Sequence, residues 1–217
     1  NAADKERAAV LAKNEQLRAN MLRAISHDLR TPLTAISGNA SNLLSNGEGF
    51  DEATRRQLYS DIYDDSMWLI NVVENLLSVT RMEEGRMALH LKPELLSEVV
   101  GGAMQRLEKY GSTHHLRVEQ EDDLLMARID ARLILQVLTN LIDNAVKYTP
   151  PGSEIAVRTL RRDGMVVVEV ADTGPGIPDA DKEKVFEMFY TSAGSDARRG
   201  MGLGLALCKS IVNAHGG

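Results

Sequence analysis

The chain has 217 residues, enough for one large domain or two small ones, and its 43% hydrophobic content supports real cores. With only 4% aromatic residues, helices packed through aliphatic side chains are expected, and a net charge of −6 argues against nucleic acid as the main partner. A single cysteine, Cys208, excludes an intramolecular disulfide and suits a reducing compartment. No apolar run approaches the ~20 residues that span a bilayer, and the polar start carries no signal peptide, so the sequence reads as a cytoplasmic piece without direct membrane contact.

Residues 1–46 read as one long helix. Its start (Lys5, Glu6, Arg7, Lys13, Asn14, Glu15) has the charge of a coiled-coil lead-in, and from Leu22 an apolar stripe follows through Ile25, Leu29, Leu33, Ile36, Ala40 and Leu43. Within it, residues 26–33 are Ser-His-Asp-Leu-Arg-Thr-Pro-Leu. At about 100° per residue, His27 lies roughly 200° from both Ile25 and Leu29 and should face water. Asp28 stands beside it, and Thr31 follows one turn later, close enough to share a ligand. An exposed imidazole next to an acid on a stiff helix suits a nucleophile or group carrier. Pro32 removes a backbone donor and should bend the helix.

Asn46-Gly47-Glu48-Gly49 ends this helix, and Asp51 is the expected N-cap of a second one reaching about Met82, with Leu58, Ile62, Leu69, Val73 and Leu76 inward. One hairpin cannot bury both stripes. Two copies can, as a dimeric four-helix bundle.

Glu83-Glu84-Gly85-Arg86 reads as a linker, and from Pro93 the pattern changes. A helix is expected near Leu95 to Tyr110, then strands near Leu116 to Gln120 and Met126 to Ile129. A strong helix follows from Asp130 to Lys147. Two strands, Glu154 to Leu160 and Met165 to Val170, are joined by the hairpin-like Arg162-Asp163-Gly164, and a helix from Leu203 to Ala214 closes the chain. This mixture predicts an α/β sandwich with helices on one sheet face.

On the strong helix, Asn140, Asn144 and Lys147 are spaced by four and three and share one face, opposite Leu138, Leu141 and Ile142. Two carboxamides and an ammonium in this arrangement fit a polyphosphate with its metal: amide oxygen to Mg²⁺, amide N–H and ammonium to phosphate. Asp172-Thr173-Gly174-Pro175-Gly176 follows a β run, which places the aspartate at a strand end. A carboxylate there can accept the exocyclic amine of adenine and reject guanine, while the glycines allow close backbone approach. Gly202 and Gly204 introduce the last helix, whose N-terminal amides could hold phosphate, and the small, polar stretch Thr191 to Arg199 before them has the composition of a mobile lid.

Rival sites are weaker. The glycine spacing is not that of a dinucleotide fold, and no Walker A sequence exists. His114-His115 has no supporting metal ligand nearby, and Ser26, His27 and Asp28 diverge too far on a helix to form a hydrolase triad. Trp68 and the methionines read most simply as core or subunit-interface packing.

Residues 26–33 resemble the H-box of sensor histidine kinases of two-component systems, and residues 140–148 resemble their N-box. Residues 172–177, 185–189 and 200–205 are similar to the G1, F and G2 boxes, in the family's order. Residues 26–34 and 135–148 look most like the potassium-responsive Kdp-type kinases, in which aspartate is usual at the position of Asp28.

The resemblance implies a multidomain chain: an all-α hairpin forming a dimeric four-helix bundle for dimerisation and phosphotransfer (1–84), a linker (85–92), and an α/β sandwich ATP-binding domain of the Bergerat (GHKL) type (93–217). The family normally continues past Ala214-His215-Gly216-Gly217 into a final pair of strands, so this domain is expected to be truncated there. ATP would bind at Asn140, Asn144, Lys147, Tyr148, Asp172, Gly174, Gly176, Gly202 and Gly204. The resemblance makes Asn140 and Asn144 the Mg²⁺-side ligands and puts Lys147 and Tyr148 near phosphate and ribose. His27 would take the γ-phosphoryl group with Asp28 polarising its ring, then pass it to an aspartate on a response regulator receiver domain. Thr31 resembles the residue that orients water for the reverse, phosphatase reaction. The parent protein would be a membrane-anchored sensor with this part in the cytoplasm. Two alternatives stay open at this point: a nucleotide-binding scaffold with little turnover, and a Bergerat-type ATPase.

Overall fold

The computed structural model describes residues 25–83, 88–107, 113–191 and 202–217. The coiled-coil lead-in with Leu22, residues 85–87 of the linker, the end of the helix expected to reach Tyr110, and nearly all of the lid lie outside them. The chain divides into two compact units, Asn1–Leu77 and Ser78–Gly217.

The first unit is built on two helices. Helix α1 covers residues 25–46 and continues through Pro32. Its buried and half-buried face is Ile25, Leu29, Pro32, Ile36, Ala40 and Leu43, whereas Leu33, expected in that stripe, is 54% exposed. The helical wheel explains the difference. Ile25, Pro32, Ile36 and Leu43 fall within about 20° of one line, and Leu33 lies roughly 80° round from it. A 3₁₀ turn, Gly47–Gly49, leads to α2, Glu52–Glu83. Asp51 caps α2 as expected: its Oδ1 accepts the Thr54 N–H at 2.7 Å, and hydrogen bonds from Thr54 hold the Asp51 carboxyl below the usual carboxylate range.

On α2 the inward face is Leu58, Ile62, Leu69, Val72 and Leu76. Val73, expected inward, is exposed, and Val72 is buried in its place. Val73 belongs instead to a second apolar stripe with Tyr59, Tyr63, Met67, Ile70 and Leu77, all exposed and centred about 100° round from the first.

After the end of α2, the second unit's first described strand is β1, Lys92–Leu95, which the sequence did not announce because Pro93 sits in it. Proline is tolerated there because among the described residues the strand pairs on one side only, antiparallel with β3 (Met126–Ile129) in a two-stranded sheet. Helix α3, Leu96–Leu107, turns Val99, Val100 and Ala103 inward. Strand β2, His115–Gln120, runs parallel to β4, Glu154–Arg162, and β4 pairs antiparallel with β5, Met165–Asp172. The β4–β5 hairpin turns on Asp163 (φ 51°) and Gly164 (φ 79°), the left-handed pair that a two-residue hairpin requires.

Helix α4, Ala131–Tyr148, serves two cores. Leu138, Ile142 and Ala145 pack with α3 and with Ile155 and Val157 of the central strand β4. Leu133 and Val137 pack instead with Leu207, Cys208 and Ile211 of α5, Gly204–Ala214. Each fully buried aliphatic side chain contributes about 1.5–3 kcal/mol of transfer free energy, so α4 is fixed on both flanks. Its polar face is left for chemistry. Across the sheet, Glu119 of β2 pairs with Arg117 and with Arg158 of β4 (2.8 Å), and these bonds hold its carboxyl below the usual range.

Candidate active site

In the first unit, His27 is exposed, as its angular position requires; its side chain keeps 77% of its surface. Its Nδ1 lies 3.1 Å from Asp28 Oδ1. A carboxylate only accepts, so Nδ1 carries the proton and the Nε2 lone pair is free to attack. Thr31 shares the face, and an open depression is lined by His27, Arg30, Thr31, Thr34 and Ala35. The Thr34 hydroxyl is committed to the Arg30 carbonyl at 2.8 Å. Arg30 was not singled out from the sequence, although its i+3 spacing from His27 was the available signal; it puts a cation beside the imidazole.

In the second unit, Asn140, Asp143, Asn144 and Lys147 occupy the polar face of α4. Asp143 is the member that sequence reasoning missed, hidden by its place among the box's apolar residues. Burial pushes its carboxyl above the usual range, with the Lys147 ammonium opposing. Asn140 Nδ2 is buried and makes no full hydrogen bond among the described residues, its nearest acceptor being the Cys208 sulfur. It faces the start of α5, where a Cβ on Gly204 would lie 3.8 Å from the Asn140 side chain. A buried amide without a partner costs stability unless something else satisfies it. Burial also raises the Cys208 thiol to about 12, and its Sγ donates to the Val137 carbonyl at 3.7 Å, marking it as packing and not chemistry.

Asp172 ends β5, as expected, and is exposed. Its Oδ1 accepts the Gly174 N–H at 2.8 Å, which curls the following loop around the carboxylate. A Cβ on Gly174 would stand 2.7 Å from Asp172 Oδ1 and 2.7 Å from Thr149 Cγ2, so any larger residue must displace one of them. Gly176 has φ 73°. Thr149, buried at the end of α4, is itself held: its hydroxyl donates to the Ala145 carbonyl at 2.7 Å. His114, weighed above as a metal residue, is buried beside it, with Nε2 3.4 Å from the Thr149 carbonyl and Nδ1 2.9 Å from the Thr113 hydroxyl. Both ring nitrogens are occupied by protein atoms. No group of three or more His, Cys, Asp or Glu that could hold a metal occurs among the described residues.

The second glycine box meets the F-box segment directly. Gly202 (φ 66°) presents its carbonyl to the Phe189 N–H at 3.0 Å, and Phe189 is itself left-handed at φ 65°. A Cβ on Gly202 would reach within 2.5 Å of the Tyr190 carbonyl. The short 3₁₀ helix Lys184–Phe186 is tied to α5 by Lys209, whose Nζ lies 5.5 Å from the Phe186 ring centroid. Tyr190 is bonded to Asp181, which raises its hydroxyl above the ordinary value. Asn140, Gly202 and Gly204 are therefore brought to one end of the α4–α5 pair. Tyr148 lies at the last turn of α4, next to Thr149 and the Asp172–Gly174 loop.

Comparison with known proteins agrees with this arrangement. Residues 17–85 match the His Kinase A (phospho-acceptor) domain, and residues 129–217 match the histidine kinase-, DNA gyrase B- and HSP90-like ATPase domain. The sensor protein KdpD of Clostridium acetobutylicum is 46% identical over 99% of this chain and 24% of its own length. The chain thus spans about a quarter of that curated relative. The solved structure of the mycobacterial sensor histidine kinase MprB is 31% identical, with a TM-score of 0.52 over 58% of this chain and 80% of that one. Histidine kinase ThkA, solved in complex with response regulator protein TrrA, shares the fold at 24% identity, with a TM-score of 0.62 over 91% of this chain and 55% of that one. A helical phospho-acceptor unit bearing an exposed histidine, followed by an α/β ATPase unit bearing asparagine and glycine boxes, makes this chain a member of the sensor histidine kinase family.

Proposed function

We propose that the chain carries ATP-dependent phosphorylation of His27 and onward transfer to an aspartate on a response regulator receiver domain, with phosphatase activity toward that regulator. The observation that carries this reading is the 3.1 Å contact between His27 Nδ1 and Asp28 Oδ1 on an exposed helix face. It fixes the tautomer and presents Nε2 as the nucleophile, and the carboxylate stabilises the positive charge that grows on the ring. ATP is held at the Asn140 end of the α4–α5 pair, with Asn144, Lys147 and Tyr148 toward the phosphates and ribose. The carboxylate of Asp172 takes the adenine amine. Gly174 and Gly176 admit the base, and Gly202 and Gly204 admit the phosphates. The exposed Arg30 and Thr31 share the depression with His27. There Arg30 supports the charge of an incoming phosphoryl group, and Thr31 orients the water used in dephosphorylation.

The residues present fit a Mg²⁺ ion. Asn140 and Asn144 offer amide oxygens to the ion, and the buried Asn140 Nδ2, without a full hydrogen bond among the described residues, is left to donate to a phosphate oxygen. A site with so few protein ligands suits an ion that takes the rest from substrate phosphates and water. When bound, it would neutralise charge on the β- and γ-phosphates. Residues 1–84 form the dimerisation and phosphotransfer domain, 85–92 the linker and 93–217 the catalytic domain. The exposed stripe Tyr59, Tyr63, Met67, Ile70, Val73 and Leu77 supports homodimerisation, since a second copy of the hairpin covers it as a four-helix bundle. No described helix is long and apolar enough to cross a membrane. The chain acts as the cytoplasmic part of a longer, membrane-anchored sensor.

Incubation with γ-labelled ATP tests the reaction. The kinase reading expects label on the chain, stable to base, labile to acid and absent from His27→Gln. Free phosphate with no labelled protein would support an ATPase instead, and bound nucleotide without turnover would support a scaffold.

A further inference from the structure

The far end of the α4–α5 pair holds a polar node that the phosphotransfer chemistry does not use. Asp130 is 4% exposed and caps α4, with Oδ1 accepting the Leu133 N–H at 3.3 Å. Its Oδ2 accepts the His90 N–H at 3.2 Å, and its own N–H donates to His215 Nε2 at 3.0 Å. His215 Nδ1 lies 2.7 Å from the Ile211 carbonyl. An imidazole nitrogen facing a carbonyl must donate and one facing an N–H must accept, so Nδ1 donates to the Ile211 carbonyl and Nε2 accepts from Asp130. The node ties three elements together: the start of α4, the end of α5 and the stretch just before β1. Next to His90, Leu89 packs against the Leu133, Val137, Leu207, Cys208 and Ile211 cluster between the helices.

The helices run antiparallel. Asp130 meets His215, Val137 meets Cys208, and Asn140 meets Gly204. Ten residues, about 15 Å of helix, separate the node from Asn140. A helix is stiff over that length, so the register set at one end fixes how Gly204 stands against Asn140 at the other.

We propose that His215 is a positioning residue for nucleotide binding, setting the register of α5 on α4, and that the Leu89–His90 segment is coupled to the nucleotide site both through the shared Asp130 and through the packing of Leu89 between the two helices. The proposal rests on the ATP site described above. Removing the Nε2 acceptor lets α5 slip and loosens the phosphate-side backbone, while the α4 face and His27 stay as they are. The effect therefore falls on nucleotide affinity and not on the chemical step.

The test uses the full chain, a fluorescent ATP analogue and autophosphorylation kinetics. His215→Leu should weaken analogue binding and raise the KM for ATP about tenfold, with kcat at saturating ATP within about threefold of the unmodified chain. His215→Gln, whose side-chain oxygen can take the place of Nε2, should bind within about twofold of it. Leu89→Ala, which leaves every hydrogen bond of the node intact, should raise KM about threefold. Hydrogen exchange at the Asp130 amide should be slow in the unmodified chain and in His215→Gln, and fast in His215→Leu. Equal losses in the Leu and Gln variants, or a fall in kcat at unchanged KM, would overturn the proposal. So would rapid exchange of the Asp130 amide in the unmodified chain, a result that stands even where a variant does not fold. Failure of the unmodified chain to bind the analogue would instead remove the ATP site itself, and the proposal with it.

Discussion

Gly174→Ala puts the adenine site to a quantitative test. The added Cβ would lie 2.7 Å from Asp172 Oδ1, 2.7 Å from Thr149 Cγ2 and 3.4 Å from the Tyr148 carbonyl. Thr149 is buried and its hydroxyl is bonded to Ala145, so it cannot retreat easily. The exposed Asp172 carboxylate is the group that moves, and it gives up the 2.8 Å bond from Gly174 N–H. Overpacking of this kind costs about 1–3 kcal/mol. Losing the adenine amine's bond to a charged acceptor costs a further ~1.5–3 kcal/mol of binding, roughly 10- to 150-fold in affinity. Titration with fluorescent ATP and GTP analogues measures it. ATP affinity should fall by that factor, and the ATP-to-GTP preference should shrink with it, because guanine never used the carboxylate. Gly101→Ala is the control: nothing lies within 4 Å of its added Cβ, and α3 should gain up to about 1 kcal/mol of helix propensity without any change in binding. A Gly174→Ala variant that keeps native affinity and base preference would refute the placement of adenine at Asp172.

Thr31→Ala should keep autophosphorylation within a few-fold yet lose roughly tenfold or more of regulator dephosphorylation, about 1.4 kcal/mol of barrier, when both rates are measured with one phosphorylated regulator; equal losses would show that Thr31 acts through the helix. Met67→Glu, on the exposed stripe of α2, should give a folded monomer in analytical ultracentrifugation, whereas Val72→Glu should unfold the hairpin by burying a charge. A dimeric Met67→Glu chain would contradict the proposed interface. For Asp143, burial raises the folded-state pKa above the ordinary 3.8, so its contribution to stability is full below about pH 4 and declines as pH rises through the raised value. Thermal melting should therefore show Asp143→Asn gaining on the unmodified chain between about pH 4 and neutrality; parallel curves would mean that the carboxylate is solvated.

Much of this architecture was legible because periodicity and capping are local. Asp51 and Asp130 announced their helices, Asp163-Gly164 announced the hairpin, and the wheel placed His27 opposite Ile25. The misses came where geometry is not local. Val73 and Val72 differ by a single 100° step, and a stripe meant for a second surface reads in sequence like one meant for the core. Strand β1 was hidden by Pro93, which is tolerable because that strand has one neighbour among the described residues. In the site, the asparagine and glycine positions were visible as motifs. The half-buried state of Asp143, the crowding around Gly174 and the reach of His215 back to Asp130 each depend on a partner far along the chain. No spacing rule could supply them.

The central claim is that the γ-phosphoryl group of ATP lands on Nε2 of His27, because Nδ1–H is engaged by Asp28 at 3.1 Å. Nitrogen-15 and phosphorus-31 NMR of the ¹⁵N-histidine-labelled chain, after incubation with ATP and Mg²⁺ under base-stable conditions, reads that atom directly. A phosphorus-coupled Nε2 on one histidine, absent in His27→Gln, is the expected result. Phosphorus on Nδ1, on another histidine, or on no histidine at all would contradict it.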